Sequence, residues 1–184
     1  MIGEGFPAIL AAAQDGSEAA FSQLWRDTNP ALLRYLRVIC PAAAEDIAAD
    51  TWVKTLRGLS GFRGDEQAWR AWVFTTSRRL VIDQRRRTAR KPAVPLSDVP
   101  HAALPYSADA GEEALERLST RAAIEMVAKL PPLQAEVILL RVVAGLETEA
   151  VARLVGRSSG AVRVAAHRGL RRLAQIAAEA GVTL

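Results

Sequence analysis

The chain has 184 residues, half of them hydrophobic, which is enough apolar material for one medium domain or two small ones. No apolar run approaches the roughly 20 residues of a membrane-spanning helix, and the longest, residues 8–13, lacks the basic leader of a secretory signal. We therefore expect a soluble, cytoplasmic protein without membrane insertion. One cysteine and two histidines exclude an internal disulfide and make a zinc site or a Cys–His hydrolase a poor fit, so no metal, cofactor or catalytic residue is predicted.

The net charge of +4 is unevenly distributed along the chain. Residues 76–100 carry +5 and residues 141–184 carry +4, whereas residues 1–75 carry −2 and residues 101–140 carry −3. Two basic blocks separated by acidic stretches suggest two separate contacts with a polyanion. The plainer alternative is two solvated faces, so the interpretation depends on where each block lies.

The first half of the chain has helical periodicity. Apolar residues recur at steps of three and four in three segments, which contain Phe21 to Leu36, Ile47 to Leu59 and Trp69 to Leu80. A proline-rich stretch follows, and its four prolines between residues 89 and 111 argue against a regular helix and for an extended linker. We expect residues 92–110 to be non-helical and the two flanking domains to lack one fixed arrangement, unless the chain closes on itself through an apolar interface.

Beyond the linker, residues 115–127 have the spacing of one helix, and Pro131–Pro132 opens another that contains Val137, Leu140 and Val143. No segment has the pattern of a β-hairpin. The sequence therefore predicts an all-α fold of two helical domains joined by a proline-rich linker.

The second domain contains a pattern typical of a helix-turn-helix. Thr148 can cap a short helix that ends at Gly156, which supplies the left-handed residue of the turn. Ser158 can cap a second helix, and small Ala152 lets the two helices approach. The second helix presents polar side chains suited to phosphates and base edges in a major groove, namely Ser159, Arg163, His167, Arg168 and Arg171. An ordinary helical hairpin with a basic exterior is the alternative.

The first domain has a basic helix of its own, with two tryptophans near its start and six arginines from Arg78 to Arg90. A glycine-framed loop, residues 61–67, precedes it. Aromatic side chains beside arginines can stack on unpaired bases while the guanidinium groups hold phosphates. For at least one of Trp69 and Trp72, core packing is the better interpretation.

Taken together, these motifs resemble those of an extracytoplasmic-function (ECF) sigma factor, a small initiation subunit of bacterial RNA polymerase. The resemblance covers about residues 18 to 175 and depends on the order and spacing of several strings: AEDI (44–47), GFR (61–63), WRAWV (69–73), LVID (80–83), LPP (130–132), GAVR (160–163) and HR (167–168). The chain departs from the usual family pattern at Ala49, Arg79, Val164 and Ala165.

The resemblance implies a division of labour. Residues 1–90 would be sigma domain two, residues 91–112 the linker, and residues 113–184 sigma domain four. The implied partners are the largest and second-largest subunits of core RNA polymerase, promoter DNA and an anti-sigma factor, and no enzymatic activity is implied. The implied core-binding residues are Glu45, Asp46, Asp50 and Lys54. Those for the −10 element are Phe62, Arg63, Asp65, Arg78, Arg79, Arg85 and Arg86, and those for the −35 element are Ser158, Ser159, Arg163, His167, Arg168 and Arg171.

Two other functions compete with this prediction. In one, a DNA-binding regulator touches DNA only through residues 113–184, while the first domain senses a ligand or partner. A sensor domain has no need for both an acidic helix at 45–57 and a basic helix at 78–90. The other, a small helical enzyme, is supported by no nucleophile–base pair, metal cluster or phosphate loop in the sequence.

Overall fold

The computed structural model describes residues 1–90 and 122–180, and within these two ranges the chain is built from helices and turns without a β-strand. The linker predicted at 91–112 and the beginning of the helix predicted from residue 115 lie outside the described residues. The first domain has four α-helices: α1 (Phe6–Gln14), α2 (Glu18–Ile39), α3 (Ala44–Gly58) and α4 (Glu66–Arg90). The second has α5 (122–128), α6 (Pro132–Ile138), α7 (Thr148–Val155) and α8 (Ser159–Glu179).

Short turns of other helix types connect these elements. Three-residue 3₁₀ turns precede α1 and α3 and follow α3, at Gly3–Gly5, Pro41–Ala43 and Leu59–Gly61. A π-helical turn, Leu139–Val143, follows α6 directly, so the helix predicted to run on through Leu140 and Val143 changes its hydrogen-bond pattern after Ile138. An inserted residue of this kind re-aims the side chains that follow it.

The core of the first domain is aromatic. Trp69 of α4 is 1% exposed and lies against both Trp52 and Phe62, at ring-centroid distances of 6.5 and 5.7 Å. Its indole N–H donates to the Thr28 hydroxyl at 3.2 Å, so the one polar atom of this buried side chain has a hydrogen-bond partner. Core packing is therefore confirmed for Trp69.

The second domain depends on a close approach between α6 and α8. Leu130, Ala135, Ile138 and Ile176 form a small apolar cluster between the two helices. Gly169 lies in the middle of α8, where an added Cβ would come within 2.6 Å of the Ile138 side chain. Space, not backbone angle, favours glycine there, because an added methyl group would require the end of the Ile138 side chain to shift and would crowd the Gln134 Cβ at 3.3 Å.

The two domains pack against each other. One continuous apolar cluster includes Trp69 and Val73 of the first domain together with Val137, Leu140 and Val151 of the second. Helix α2 contacts α6 and the π turn, and α4 contacts α7. The expectation that the domains lack a fixed arrangement is therefore wrong, and the alternative, a chain closed on itself, is what the structure has. The physical reason is that the small core of the second domain leaves apolar surface uncovered, and packing on the first domain buries it.

Candidate nucleic-acid interface

The turn between α7 and α8 has the predicted geometry. Gly156 adopts φ +68° and ψ +43°, the left-handed conformation that ends α7. The Ser158 hydroxyl accepts a hydrogen bond from the amide of Ala161 at 3.2 Å and so caps α8. The prediction for Thr148 is wrong, because extended Glu147 is the N-cap of α7 and Thr148 is its first helical residue, without a capping bond.

The outer face of α8 is basic and exposed. Val162, Ala165 and Gly169 are buried on the inner face. On the outer face the structure brings Arg163, His167 and Arg171 together, because they follow one another at four-residue steps along a single stripe. Arg168 is also exposed but lies to one side of this stripe, while Ser159 is half-buried and Ser158 is occupied as the cap.

None of the four basic side chains Arg163, His167, Arg168 and Arg171 has a hydrogen-bond or ion-pair partner among residues 1–90 and 122–180. Their charges are therefore available to an external polyanion. Sequence reasoning treated Val164 only as a departure from the family pattern. The structure places this apolar side chain, 49% exposed, among the basic ones.

The arginines of α4 are placed differently. The Arg78 Nε donates to the Glu136 carboxylate of α6 at 2.7 Å, and Arg85 donates to the carbonyl of Ile39 at 2.7 Å. Arg86 lies 4.0 Å from Asp83, an exposed pair one helical turn apart. Of the four predicted α4 residues, Arg79 alone is exposed without a partner among the described residues.

The contact at Glu136 also affects the ionisation of its neighbours. Burial, together with the charge and hydrogen bond of Glu136, raises the pKa of Tyr35 well above its usual range, and Arg78 and Arg85 oppose that rise. Burial works against the charged form of Arg78, but the hydrogen bond and charge of Glu136 outweigh it and raise the pKa of the guanidinium. The Tyr35 hydroxyl, 3.1 Å from Glu136, therefore remains a neutral donor.

The loop before α4 uses its predicted side chains internally. Phe62 stacks on Trp72 with ring centroids 5.1 Å apart, and the Arg63 guanidinium donates to the carbonyl oxygens of Ser60 and Phe62. The Asp65 carboxylate accepts from the amide of Ala68 at 2.8 Å and caps the first turn of α4. These contacts hold the loop in one shape.

Gln14 is a supporting residue that sequence reasoning missed. Its side-chain amide nitrogen lies 2.9 Å from two carbonyl oxygens, those of Leu59 and Phe62, and donates to both. Because the contact spans more than 40 residues, no local pattern in the sequence signals it. The C-terminal end of α1 thereby holds the loop before α4 in place through these two hydrogen bonds.

The acidic face of α3 is exposed. Asp46, Asp50 and Lys54 follow one another at four-residue steps and have no partner among the described residues, whereas Glu45 pairs with Arg37 at 3.2 Å. Val53 and Leu56 are exposed on the same helix, and Trp25 of α2 lies beside it against Trp52. Apolar side chains next to unpaired carboxylates are typical of a protein-binding surface.

The described residues contain no cluster of three or more His, Cys, Asp or Glu side chains arranged to hold a metal ion. Among the described helices, none is both long and apolar enough to cross a membrane.

Two family profiles match the chain: Sigma-70 region 2 over residues 24–91 and Sigma-70 region 4 over residues 120–173. A helical domain with an exposed acidic face and a basic helix, followed by a basic helix-turn-helix, defines the class of the sigma-70-type initiation factors. Within that class, the chain belongs to the ECF RNA polymerase sigma factors. It is 34% identical over 181 residues to ECF RNA polymerase sigma factor SigD of Mycobacterium tuberculosis, covering 94% of this chain and 84% of SigD. It is 33% identical to ShbA of Streptomyces griseus, covering 92% of this chain and 94% of ShbA.

Solved structures support the fold. CnrH in complex with the cytosolic domain of CnrY is similar with a TM-score of 0.61 at 22% identity, covering 94% of this chain and 97% of CnrH. RpoE of Bartonella quintana, in complex with the anti-sigma factor NepR, gives 0.59 at 21% identity, covering 84% of this chain and 94% of RpoE. The protein therefore acts in promoter recognition and transcription initiation with RNA polymerase, through its region 2 and region 4 domains.

Proposed function

We propose that three surfaces divide the work of this sigma factor. The acidic face of α3 docks on core polymerase. The loop 61–65 and α4 bind and open the −10 element, and the outer face of α8 reads the −35 element. The protein performs no chemical reaction itself and acts in the cytoplasm, where the polymerase is.

The single observation that carries the proposal is the contrast between the two sides of α8. Its inner side is fixed by the capped turn and by close packing on α6, so the outer stripe of Arg163, His167 and Arg171 is held rigidly. Four basic side chains without partners among residues 1–90 and 122–180, on a helix that follows a tight turn, fit a major groove. Beside this stripe, one turn before Arg168, the exposed Val164 is suited to the methyl group of a thymine.

Core docking is supported by charge and by exposed apolar surface. Asp46 and Asp50 lie one turn apart, and like charges at this spacing repel each other. The alternative, a favourable interaction with the N-terminal dipole of α3, applies to Asp46 in the first turn and less to Asp50. A basic partner surface supplies the missing counter-charge, and Val53 and Leu56 supply apolar contact area beside it. Glu45, already paired with Arg37, is placed to join the edge of that interface.

Core docking can be tested by reversing both charges. Asp46→Arg with Asp50→Arg should abolish binding of core polymerase in a titration while leaving the melting temperature nearly unchanged, because both carboxylates are exposed. Asp15→Arg with Glu18→Arg is the matched control, since it makes the same change in net charge on exposed side chains elsewhere. Equal core affinity for both double variants would show that the docking assignment is wrong.

The −10 role is supported by the arginines of α4, which lie next to the loop 61–65, whose conformation is fixed by hydrogen bonds. Opening DNA costs a few kcal/mol per unstacked base, which binding of the displaced base must offset. A loop fixed by Gln14 and Asp65 pays little entropy to present one conformation. Arg79, exposed and without a partner among the residues that the structure describes, can hold the adjacent phosphate.

Strand opening separates this proposal from a DNA-binding regulator that uses only the second domain. Arg79→Ala should leave binding to a −35-only duplex intact, but it should reduce permanganate reactivity of the holoenzyme complex at the −10 element. A pre-melted bubble template should restore part of the loss. If Arg79→Ala and Arg163→Ala cause equal defects on the −35-only duplex, the simpler regulator is the better account.

An anti-sigma factor is proposed as a further partner. The RpoE protein of similar fold is bound to an anti-sigma factor in its solved structure. We propose that such an inhibitor acts at the interface between the two domains and controls how they pack against each other.

A further inference from the structure

A cavity between α4 and α7 has the size of a small-molecule site. Its volume is about 420 Å³. Each of the two helices carries an alanine there, Ala71 in α4 and Ala150 in α7, and these short side chains leave the space between the helices open. Sites for small molecules in proteins range from about 300 to 1,000 Å³, so the cavity can hold a ligand of the size of a mononucleotide.

Positive charge lines both walls of this cavity. Arg78 and Arg79 come from α4 and Arg153 comes from α7, and none of the lining side chains is acidic. Arg79 and Arg153 are exposed and have no hydrogen-bond or ion-pair partner within the part of the chain that the structure describes. Like charges on facing walls repel each other, and an anion placed between them turns that repulsion into attraction.

Two further groups in the cavity have hydrogen-bonding capacity to spare. The Nε and Nη2 of Arg78 donate to Glu136 at 2.7 and 3.5 Å, while its Nη1 has no partner among residues 1–90 and 122–180. The Thr75 hydroxyl, half-buried one turn before the two arginines of α4, has none there either. Guanidinium and hydroxyl donors that converge on one space match the oxygen atoms of phosphate groups.

The remaining lining of the cavity is apolar. Leu154 of α7 and the two alanines offer hydrocarbon surface beside the arginines. A free phosphate ion would use the donors but leave this surface and most of the volume unfilled. A nucleoside with two or three phosphates uses both, because it carries a polyanionic chain at one end and a flat base at the other.

We propose that this cavity is a binding site for a nucleoside di- or triphosphate. Arg79, Arg153 and the Nη1 of Arg78 hold the phosphates, and the base lies against Leu154. The three guanidinium groups supply the counter-charge, so binding needs no divalent cation. The site does not rest on the proposed −10 role of α4, because Arg153 has no part in that role.

The test measures fluorescence anisotropy of mant-GTP, a fluorescent GTP analogue, with the full chain in the presence of EDTA. Arg153→Gln should weaken binding about tenfold or more, because it removes the only cationic group on the α7 wall. Arg157→Gln is the matched control: it makes the same change in net charge at an exposed arginine just after α7 that does not line the cavity, and it should leave affinity within about twofold.

A second variant tests the space instead of the charge. Ala150→Leu keeps all three arginines but fills part of the cavity, so it should also weaken binding of mant-GTP. GTP should raise the melting temperature of the wild type, because a ligand that binds only the folded chain stabilises it, and should raise that of Arg153→Gln much less.

Competition identifies the ligand class. Unlabelled GTP, ATP and GDP should displace mant-GTP at lower concentrations than GMP or inorganic tripolyphosphate. Tripolyphosphate as effective as GTP would show an anion site without a place for the base and overturn the proposal. A single-stranded oligonucleotide that displaces mant-GTP at lower phosphate concentrations than GTP does would assign the arginines to DNA instead. Equal losses for Arg153→Gln and Arg157→Gln, or full affinity in Ala150→Leu, would place the nucleotide outside this cavity.

Discussion

Helices α4 and α8 are both rich in arginine, but their arginines do different things. In α8 the basic side chains Arg163, His167, Arg168 and Arg171 face outward without partners among the described residues. In α4, by contrast, Arg70 is buried, Arg78 is paired with Glu136, and Arg85 is bound to the Ile39 carbonyl. Arginine thus forms an exposed basic surface on α8, which we propose to bind the −35 element, and makes internal contacts on α4. A cluster of arginines identifies a nucleic-acid surface only when the rest of the chain leaves it free.

Of all arginine substitutions, Arg70→Ala should cause the largest loss in the free energy of unfolding. Arg70 is 4% exposed and bridges Asp27 at 2.6 Å and the Ala144 carbonyl, so Arg70→Ala removes both contacts and leaves Asp27 with the N-terminal ammonium group of Met1, at 2.7 Å, as its ion-pair partner. We expect a loss of about 2–4 kcal/mol in the free energy of unfolding by urea, because the Asp27 carboxylate and the buried Ala144 carbonyl each lose a bond. Arg168→Ala, at an exposed arginine of α8, should stay within about 0.5 kcal/mol of the wild type. Equal losses for the two variants would contradict the comparison.

The contrast also shows how far the sequence goes. Periodicity predicts the helices, and Gly156 and Ser158 predict the turn, because both signals act over a few residues. The Arg78–Glu136 pair joins residues 58 positions apart, and the Gln14 contacts join residues 45 and 48 apart. Such pairs are decided by tertiary packing, which leaves no mark on local spacing. For this reason the sequence identified Arg78 as a basic residue of α4 but not as one held by the other domain.

The inner side of α8 offers a second, smaller test. Gly169→Ala places a methyl group 2.6 Å from the Ile138 side chain and 3.3 Å from Gln134, so the two helices must separate or repack. We expect a loss of about 1–3 kcal/mol in the free energy of unfolding. Gly160→Ala is the control on the same helix: its nearest neighbour, the Ser158 hydroxyl, is 3.9 Å away, and a gain of about 0.4–1 kcal/mol is expected. A gain at both positions would show that α8 does not pack tightly on α6.

Substitutions on the outer side of α8 should change DNA affinity and leave the free energy of unfolding unchanged. Arg163 is nearer the start of the helix and should contact a base edge, so Arg163→Ala should cost about 1–3 kcal/mol at one position of the −35 element and relax the preference there. Arg168, to one side of the stripe, should contact phosphate. Arg168→Ala should weaken binding to all sequences alike and reduce the salt slope by about one. Binding titrations against all four bases at several salt concentrations separate the two roles.

The smallest expected effect is a pH dependence at Tyr35, where α2 meets the arginine face of α4. Burial and Glu136 raise the pKa of this phenol, against the opposing charges of Arg78 and Arg85, so the folded chain keeps a proton that the unfolded chain loses above pH about 10. Below pH about 10 the contribution of Tyr35 to the free energy of unfolding should therefore not change with pH. Above it, stability should fall by at most about 1.4 kcal/mol per pH unit until the folded pKa is reached. Tyr35→Phe lacks the ionisable group, and subtracting its urea-unfolding curves from those of the wild type across this range removes the titration of every other side chain. A difference that stays constant with pH would mean that the Tyr35 hydroxyl is not held against Glu136 in solution, and that the seam between the two domains is open.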